Sequence, residues 1–367
     1  MLQSEVVISL ANLRSNFRFI QNKMNRKKIM AVVKGNAYGH GIDKVAKVLE
    51  EEGVFGFCVA LEKEVRELIE LKVSSAILHL GRIHPKMLYL LDSGQVRCNI
   101  TSMDDIDLLE DYGKSNNLMI NAHLKLDTGM TRLGIQEFEI KKCIFKLKKS
   151  KHIKVEGLWS HLATADEEEN EFLLDQVSTF KILCNRVKDE ISTIEFIHIE
   201  PSGSILRYDH DYFNMVRPGI ALYGATPFGK PSNKLKPVME FRAPLALTKS
   251  ISKSTYVGYN RTYKANQDMK IGLVQGGYAD GVPRNLSGKI NVLHNNKFYP
   301  QVGTITMDQM MVDITNSNEI KVGSTMLLLG SDGDKTISPL EWARKSNTIP
   351  WEILCSFKNR LPKVQVD

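Results

Sequence analysis

Lys34 closes an apolar run in AVVKGNAYGHG (31–41) and is followed at once by glycine and small residues. A lysine half-buried beside apolar side chains loses hydration of its ammonium. Its pKa falls, and the free amine becomes a nucleophile able to form a Schiff base with a carbonyl cofactor. The glycines let the backbone pass close to a ligand, and Tyr38, four residues on, can aim a hydroxyl at an anion. Taken alone, Lys34 reads first as a strand-end lysine that snorkels to solvent. In LKLDTGMTRLGI (124–135), Lys125, Asp127 and Arg132 crowd one strand end. An inward lysine there needs a negative partner, and an arginine can grip a carboxylate with two parallel bonds; a surface salt-bridge cluster reads equally well. His161, in WSHLATADE (159–167), also ends a strand, where a lone histidine is more often structural than catalytic. Ser202 and Gly203, in HIEPSGSILR (198–207), open a turn suited to an anion. Arg217 interrupts the apolar run VRPGIALYG (216–224), and a buried guanidinium requires a polar partner. Further on, Tyr259 lies between Gly258 and Asn260 in YVGYNRTY (256–263), as on a loop, where aromatic residues usually pack as lids. Asp308 sits among apolar residues in TITMDQMMVDI (304–314), which implies a specific partner.

The elements that must hold these groups alternate through the first two-thirds of the chain. Strand-like runs at 29–33, 55–60, 75–81, 96–101, 120–127, 155–162, 196–200 and 216–224 are separated by segments of helical period. In one of these, Phe172, Val177, Phe180, Ile182 and Val187 approximate an apolar stripe. Eight such units suit a closed (β/α)₈ barrel, whose active site sits at the strand C-termini; an open doubly wound sheet would alternate too, but the count of eight favours the barrel. From about residue 233 the texture changes to short strands joined by Gly, Asn and Ser turns, with almost no helical period. The expected organisation is a barrel over 11–232 and a mostly β domain over 233–367, with residues 1–10 pairing with the latter.

Bulk properties narrow the function classes. The chain has 367 residues, 43% hydrophobic and 25% charged, as in an ordinary soluble protein. Its net charge of +7 is spread out, and the densest basic cluster, 141–154, reads as an amphipathic helix with a solvated face. Nucleic acid is therefore not an expected partner. No apolar run is long enough for a bilayer, and the N-terminal residues show no secretory leader, so no membrane association and a cytoplasmic location are expected. The five cysteines are scattered without a CxxC pair, which points to buried free thiols and to no metal site.

Taken in order, KGNAYGHG, DTGMTRLG, SHLATADE, VRPGIALYG, VGYNRTY, GGYADGVPR and VGTITMDQMMVDI resemble the motifs of alanine racemases, over nearly the whole chain. The resemblance implies a pyridoxal 5'-phosphate (PLP)-binding (β/α)₈ barrel followed by a mostly β C-terminal domain. It also implies a head-to-tail homodimer with shared active sites, and interconversion of L- and D-alanine that supplies peptidoglycan synthesis. By the same resemblance Lys34 carries the cofactor and is one catalytic base, and Tyr259 of the other subunit is the second. His161 supports that tyrosine and Arg217, and Arg217 faces the pyridine nitrogen. Tyr38, Ser202 and the amides of Gly219 and Ile220 hold the phosphate. Arg132, oriented by Lys125, and the amide of Met307 hold the substrate carboxylate, and Asp308 is a supporting residue. In some members the lysine matching Lys125 is carbamylated. Tyr278, Arg284, Asp166 and Ile349 match residues of the substrate entrance. Trp351, in TIPWE, stands where a phosphate-contacting tyrosine is common, and Thr304 where an arginine is common. A racemase of serine or of a broader set of amino acids is the alternative; a decarboxylase of this architecture would pair the ring nitrogen with glutamate rather than Arg217.

Overall fold

The computed structural model describes residues 3–167, 171–208 and 210–367. They form two compact units, one of Asn16–Ala37 and Ile42–Leu222, the other of the residues up to Ser15, Tyr38–Gly41 and Tyr223–Asp367.

The first unit is a parallel sheet of eight strands in chain order: Lys28–Val32, Gly56–Val59, Ala76–His79, Val96–Ile100, Ile120–Lys125, Ile153–Trp159, Phe196–His198 and Met215–Val216. The last strand pairs with the first, Lys28 against Met215 and Ile29 against Val216. Most of these strands are buried almost throughout, as expected where helices cover one face of a sheet and side chains fill the other. The remaining seam is narrow. The Asn214 amide donates to the Ile197 carbonyl at 3.2 Å, the Asn214 side chain accepts from the Ile197 amide at 2.8 Å, and Pro201 bridges to Arg217. This is the nearly closed barrel expected from the alternation. The run 216–224 is shorter as a strand than its apolar character suggests. Pro218 has no amide to offer a ladder, and Ile220–Tyr223 turns instead into a 3₁₀ helix.

Helices pack by their apolar stripes. Ile42–Glu51 buries Ile42, Val45, Ala46, Val48 and Leu49. Glu171–Lys188 buries Leu173, Gln176, Val177, Phe180, Leu183, Cys184 and Val187. The expected stripe is thus rotated: Phe172 and Ile182 are exposed, because the i, i+3, i+4 series through Phe180 and Val187 runs from Leu173.

One segment runs against the usual hand. Directly after Lys34, Gly35, Asn36 and Ala37 have φ/ψ of 65/39, 54/50 and 53/50°, and Tyr38 has φ 53°. This is a left-handed turn, fastened by Gly35 donating to Glu64 Oε1 at 2.6 Å and Ile42 donating to Asn36 Oδ1 at 2.8 Å.

The second unit is a nine-stranded sheet in the order Lys335–Ile337, Thr325–Asp332, Asn291–His294, Lys297–Val302, Met310–Asp313, Met269–Val274, Met239–Ile251, Glu5–Ser9, Lys363–Val366. Thr325–Asp332 also pairs with Met239–Ile251, closing six strands on themselves. Glu5–Ser9 lies antiparallel to the start of Met239–Ile251, Glu5 against Arg242; Met1 and Leu2 lie outside the described residues. Two short helices, Pro339–Ser346 and Pro350–Cys355, depart from the expected scarcity of helix here. Their signals are local: each begins with proline at its first position, and Ser338 caps the first by accepting from the Glu341 amide at 3.2 Å. Four cysteines are buried, and Cys355 is exposed.

Candidate active site

The barrel gathers its candidate residues at one end, the C-terminal end of the strands. Lys34 lies two residues past the first strand, Lys125 is the last residue of Ile120–Lys125, His161 follows Trp159 by two, Ser202 follows His198 by four, and Arg217 follows Val216 directly. Lys34 and Arg132 are exposed, His161 is half-buried, and Lys125, Ser202, Arg217, Gly219 and Ile220 are buried. Lys34 is exposed rather than half-buried as expected, and the buried lysine of the cluster is Lys125. There burial, reinforced by the charges of Arg132, Arg217 and Lys34 and opposed by Asp127, pushes the ammonium down to about 7. The left-handed turn follows Lys34 directly.

Among the described residues Lys125 finds no carboxylate at hydrogen-bonding distance, contrary to the expectation for an inward lysine. Its ammonium lies 4.1 Å from the ring centroid of Trp159. Asp127 is occupied by its own loop, accepting from the Gly129 and Thr131 amides at 3.1 and 3.0 Å and from Gln136 Nε2 at 3.0 Å, which sets the turn leading to Arg132. Trp159, which the sequence did not single out, also has the Arg217 guanidinium 4.8 Å from its centroid and donates to Asn99 Oδ1 at 2.8 Å.

A stability consequence follows for the cofactor-free protein. Unfolded, Lys125 is charged up to about pH 10.4; folded, it is charged only below about 7. Between these values the unfolded chain binds the extra proton, so this residue's penalty is full below about pH 7 and is relieved as pH rises, on the order of 1 kcal/mol per unit. Lys125→Met lacks the penalty at every pH. Its stability advantage over wild type is expected to shrink steadily from pH 7 to pH 10 in denaturant titrations, and a difference that stays flat across that window would mean that folding does not lower the pKa of Lys125.

Arg217 is held on several sides. It donates to His198 Nδ1, to the Ser160 carbonyl at 2.7 Å and, more weakly, to His161 Nδ1 and the Ile199 carbonyl, both at 3.4 Å. Burial pulls its pKa down to about 10, with Cys58 and Glu200 opposing, so it remains a cation at neutral pH. Burial first, then Arg217, Arg132, Lys125 and Lys34, hold His161 well below the usual imidazole range, leaving it neutral.

Ser202 accepts from the amides of Gly219 at 2.9 Å and Ala221 at 3.2 Å. These bonds take both lone pairs of its oxygen, so its own hydrogen points elsewhere; none of the described residues accepts it. The basic side chains of Lys34, Lys125, Arg132 and Arg217, with the Ser202 hydroxyl, can accommodate a ligand carrying several negative charges. Asp166 lies exposed on the loop after His161.

The other candidates belong to the β-rich unit. Tyr38 is buried there, its ring 4.9 Å from that of Tyr223. Tyr259 is 66% exposed at the tip of the hairpin formed by Tyr256–Val257 and Tyr263–Lys264. Thr304 fastens that tip by donating to the Tyr259 carbonyl at 3.0 Å. Met307 is exposed on a loop clasped to Tyr278: the Tyr278 amide donates to the Thr306 carbonyl and the Ala279 amide to the Met307 carbonyl, both at 3.0 Å. Gly277 permits this approach, since a Cβ there would lie 2.3 Å from the Met307 oxygen. The partner that Asp308 was expected to need is Arg360, which also reaches Asp280 at 3.3 Å. Arg284 is exposed at the start of a short turn, Ile349 is exposed, and Trp351 is half-buried on Pro350–Cys355.

Comparison with known proteins covers both units. Residues 8–227 match the alanine racemase N-terminal domain and residues 238–365 the alanine racemase C-terminal domain.

The chain belongs to the alanine racemase family.

It is 37% identical to the alanine racemase of Prochlorococcus marinus over 369 residues, covering 98% of this chain and 95% of that one. Among solved structures, alanine racemase from the D-cycloserine producer Streptomyces lavendulae superposes with a TM-score of 0.93 at 28% identity, covering 100% and 98% of the two chains. The alanine racemase of Bartonella henselae, solved with covalently bound pyridoxal phosphate, does so with a TM-score of 0.90 at 29% identity over the full length of both. Among the described residues no helix is long and apolar enough to cross a membrane.

Proposed function

We propose that this chain interconverts L- and D-alanine with pyridoxal phosphate as cofactor, acting as a homodimer in which each site is completed by the neighbouring copy. The observation that carries the reading is the cluster of Lys34, Lys125, Arg132 and Arg217 around His161 at the strand C-termini, in a member of this family. The donor set fits the cofactor. Ser202 has a hydroxyl hydrogen left to give a phosphate, and the Ile220 amide lies between the Gly219 and Ala221 amides that already donate to Ser202; the family resemblance adds the Tyr38 hydroxyl. Trp351 contributes at most one indole N–H at a place where relatives commonly offer a hydroxyl.

When bound, pyridoxal phosphate withdraws electrons from the amino acid and acidifies its Cα proton. Lys34 Nζ then takes or returns that proton on one face, and Tyr259 of the partner subunit serves the opposite face. Racemisation requires two such groups, because a proton returned by the one that removed it restores the original hand. His161, neutral and hydrogen-bonded to Arg217 through Nδ1, has its Nε2 free to assist the tyrosine. Arg132 grips the substrate carboxylate, Lys125 sets its position, and the Met307 amide adds a donor. Arg217 keeps its proton at neutral pH and, placed at the cofactor's ring nitrogen, would leave that nitrogen unprotonated and so moderate the electron withdrawal the cofactor supplies.

Alanine and serine differ by one hydroxyl, and an apolar pocket discriminates such a pair by only about 10²-fold. A panel of L-amino acids assayed for D-product decides between them. The expected result is D-alanine formed at least tenfold faster than any other product; a faster rate with serine would transfer the assignment to that substrate.

A further inference from the structure

Beneath Arg217 the barrel interior holds a line of buried polar groups to which none of the roles above gives work. Arg217 Nη1 donates to His198 Nδ1. A guanidinium only donates, so Nδ1 accepts and the His198 proton sits on Nε2. That nitrogen lies 2.8 Å from His123 Nδ1. The same reasoning places the His123 proton on its Nε2, which lies 3.5 Å from Glu156 Oε1. Glu156 also receives Arg97 Nε at 2.9 Å. All donors therefore point one way, from Arg217 to Glu156, through two neutral imidazoles.

The backbone is shaped for this line. Between the strands Ile120–Lys125 and Ile153–Trp159 the register shifts, Ala122 facing Val155 and His123 facing Gly157. Glu156 is thus the extra residue of a β-bulge, a device that re-aims a side chain. Gly157 clears the space, since a Cβ there would lie 2.4 Å from His123 Nδ1. Burial, with Arg217 and His123 adding to it, holds His198 well below the usual imidazole range. Burial also lowers His123, against the pull of Glu156. Burial raises Glu156, but the hydrogen bond from His123 and the charge of Arg97 outweigh it, so the group is a carboxylate at neutral pH. Lys154 also feels the charge of Glu156. Glu200, the carboxylate whose charge Arg217 feels directly, is shared with Lys27 at 3.0 Å.

We propose that Glu156, acting through His123 and His198, is the anion that anchors the Arg217 guanidinium, making these three positioning residues for the group that faces the cofactor ring. The effect on catalysis rests on the assignment of Arg217 made above; the relay itself does not. In cofactor-free protein labelled with ¹⁵N-histidine, His198 and His123 are expected to show neutral rings protonated at Nε2, and either ring found cationic or protonated at Nδ1 overturns the relay. In Glu156→Gln, which keeps the shape and removes the charge, both Nε2 protons are expected to move upfield and kcat to fall about 10-fold with KM little changed, within the range of remote couplings. Glu156→Asp is expected to recover part of each. A variant with wild-type proton shifts and wild-type kcat overturns the proposal. Correct ring tautomers in a wild type that makes no D-amino acid would overturn the racemase reading and leave the relay standing.

Discussion

Lys34→Ala is expected to abolish racemisation, lowering kcat/KM by about 10⁴-fold or more in a coupled D-alanine assay. A positioned general base contributes about 10²–10⁴-fold by itself, and in the proposed mechanism this lysine also holds the cofactor. The structure shows why no neighbour can substitute. Lys125 is the other amine of the cluster, but it is 3% exposed and its ammonium lies against Trp159. A second readout separates loss of the base from loss of the fold: the variant is expected to melt as wild type does and to retain no cofactor after borohydride treatment and denaturation. Racemisation within a few-fold of wild type would remove Lys34 from the mechanism.

Tyr259→Phe should cost about 10²–10⁴-fold, with a particular pattern. The two enantiomers are equally stable in water, so kcat/KM must fall by the same factor in both directions whichever base is lost. Exchange of the Cα hydrogen with solvent need not obey that symmetry. With only Lys34 left, one enantiomer is expected to go on losing Cα deuterium near the wild-type rate while the other nearly stops. Full racemisation in both directions would end the two-base assignment. Equal slowing of both exchanges would mean that the tyrosine orients the site rather than moving a proton. A phenol has an ordinary pKa near 10 and is a poor base without help, which is why the Nε2 of neutral His161 matters to this variant's interpretation.

The sequence disclosed the groups that touch ligand better than those that hold them. Lys34, Arg132 and Tyr259 stand in motifs whose glycines and turn residues announce a loop at a strand end. The (β/α)₈ plan was readable from alternation, because period 2 and period 3.6 are local. His123, Glu156 and His198 were not readable: each sits in an apolar strand and becomes a relay only through a bulge and cross-strand neighbours. Trp159 and Glu64 escaped for the same reason, since a ring beneath Lys125 or a carboxylate under the Gly35 amide is a contact between distant segments. The stripe on Glu171–Lys188 was misaligned because Phe172 and Ile182 are as apolar as the residues that do pack, and burial was decided by the tertiary surface.

The turn behind Lys34 has a meaning for chirality. With φ/ψ of 53/50°, Ala37 has a backbone that mirrors the right-handed helix, the conformation a D-residue adopts without strain. For an L-residue it costs about 1–2 kcal/mol, and Asn36 and Tyr38 bear it as well. Such a conformation persists only where surrounding bonds over-determine it, and here these reach Glu64 and Ile42. The aim of the reactive amine therefore belongs to the assembled domain rather than to its own segment. A chain whose proposed work is to invert the hand of alanine holds one of its own alanines in the backbone geometry natural to the opposite hand.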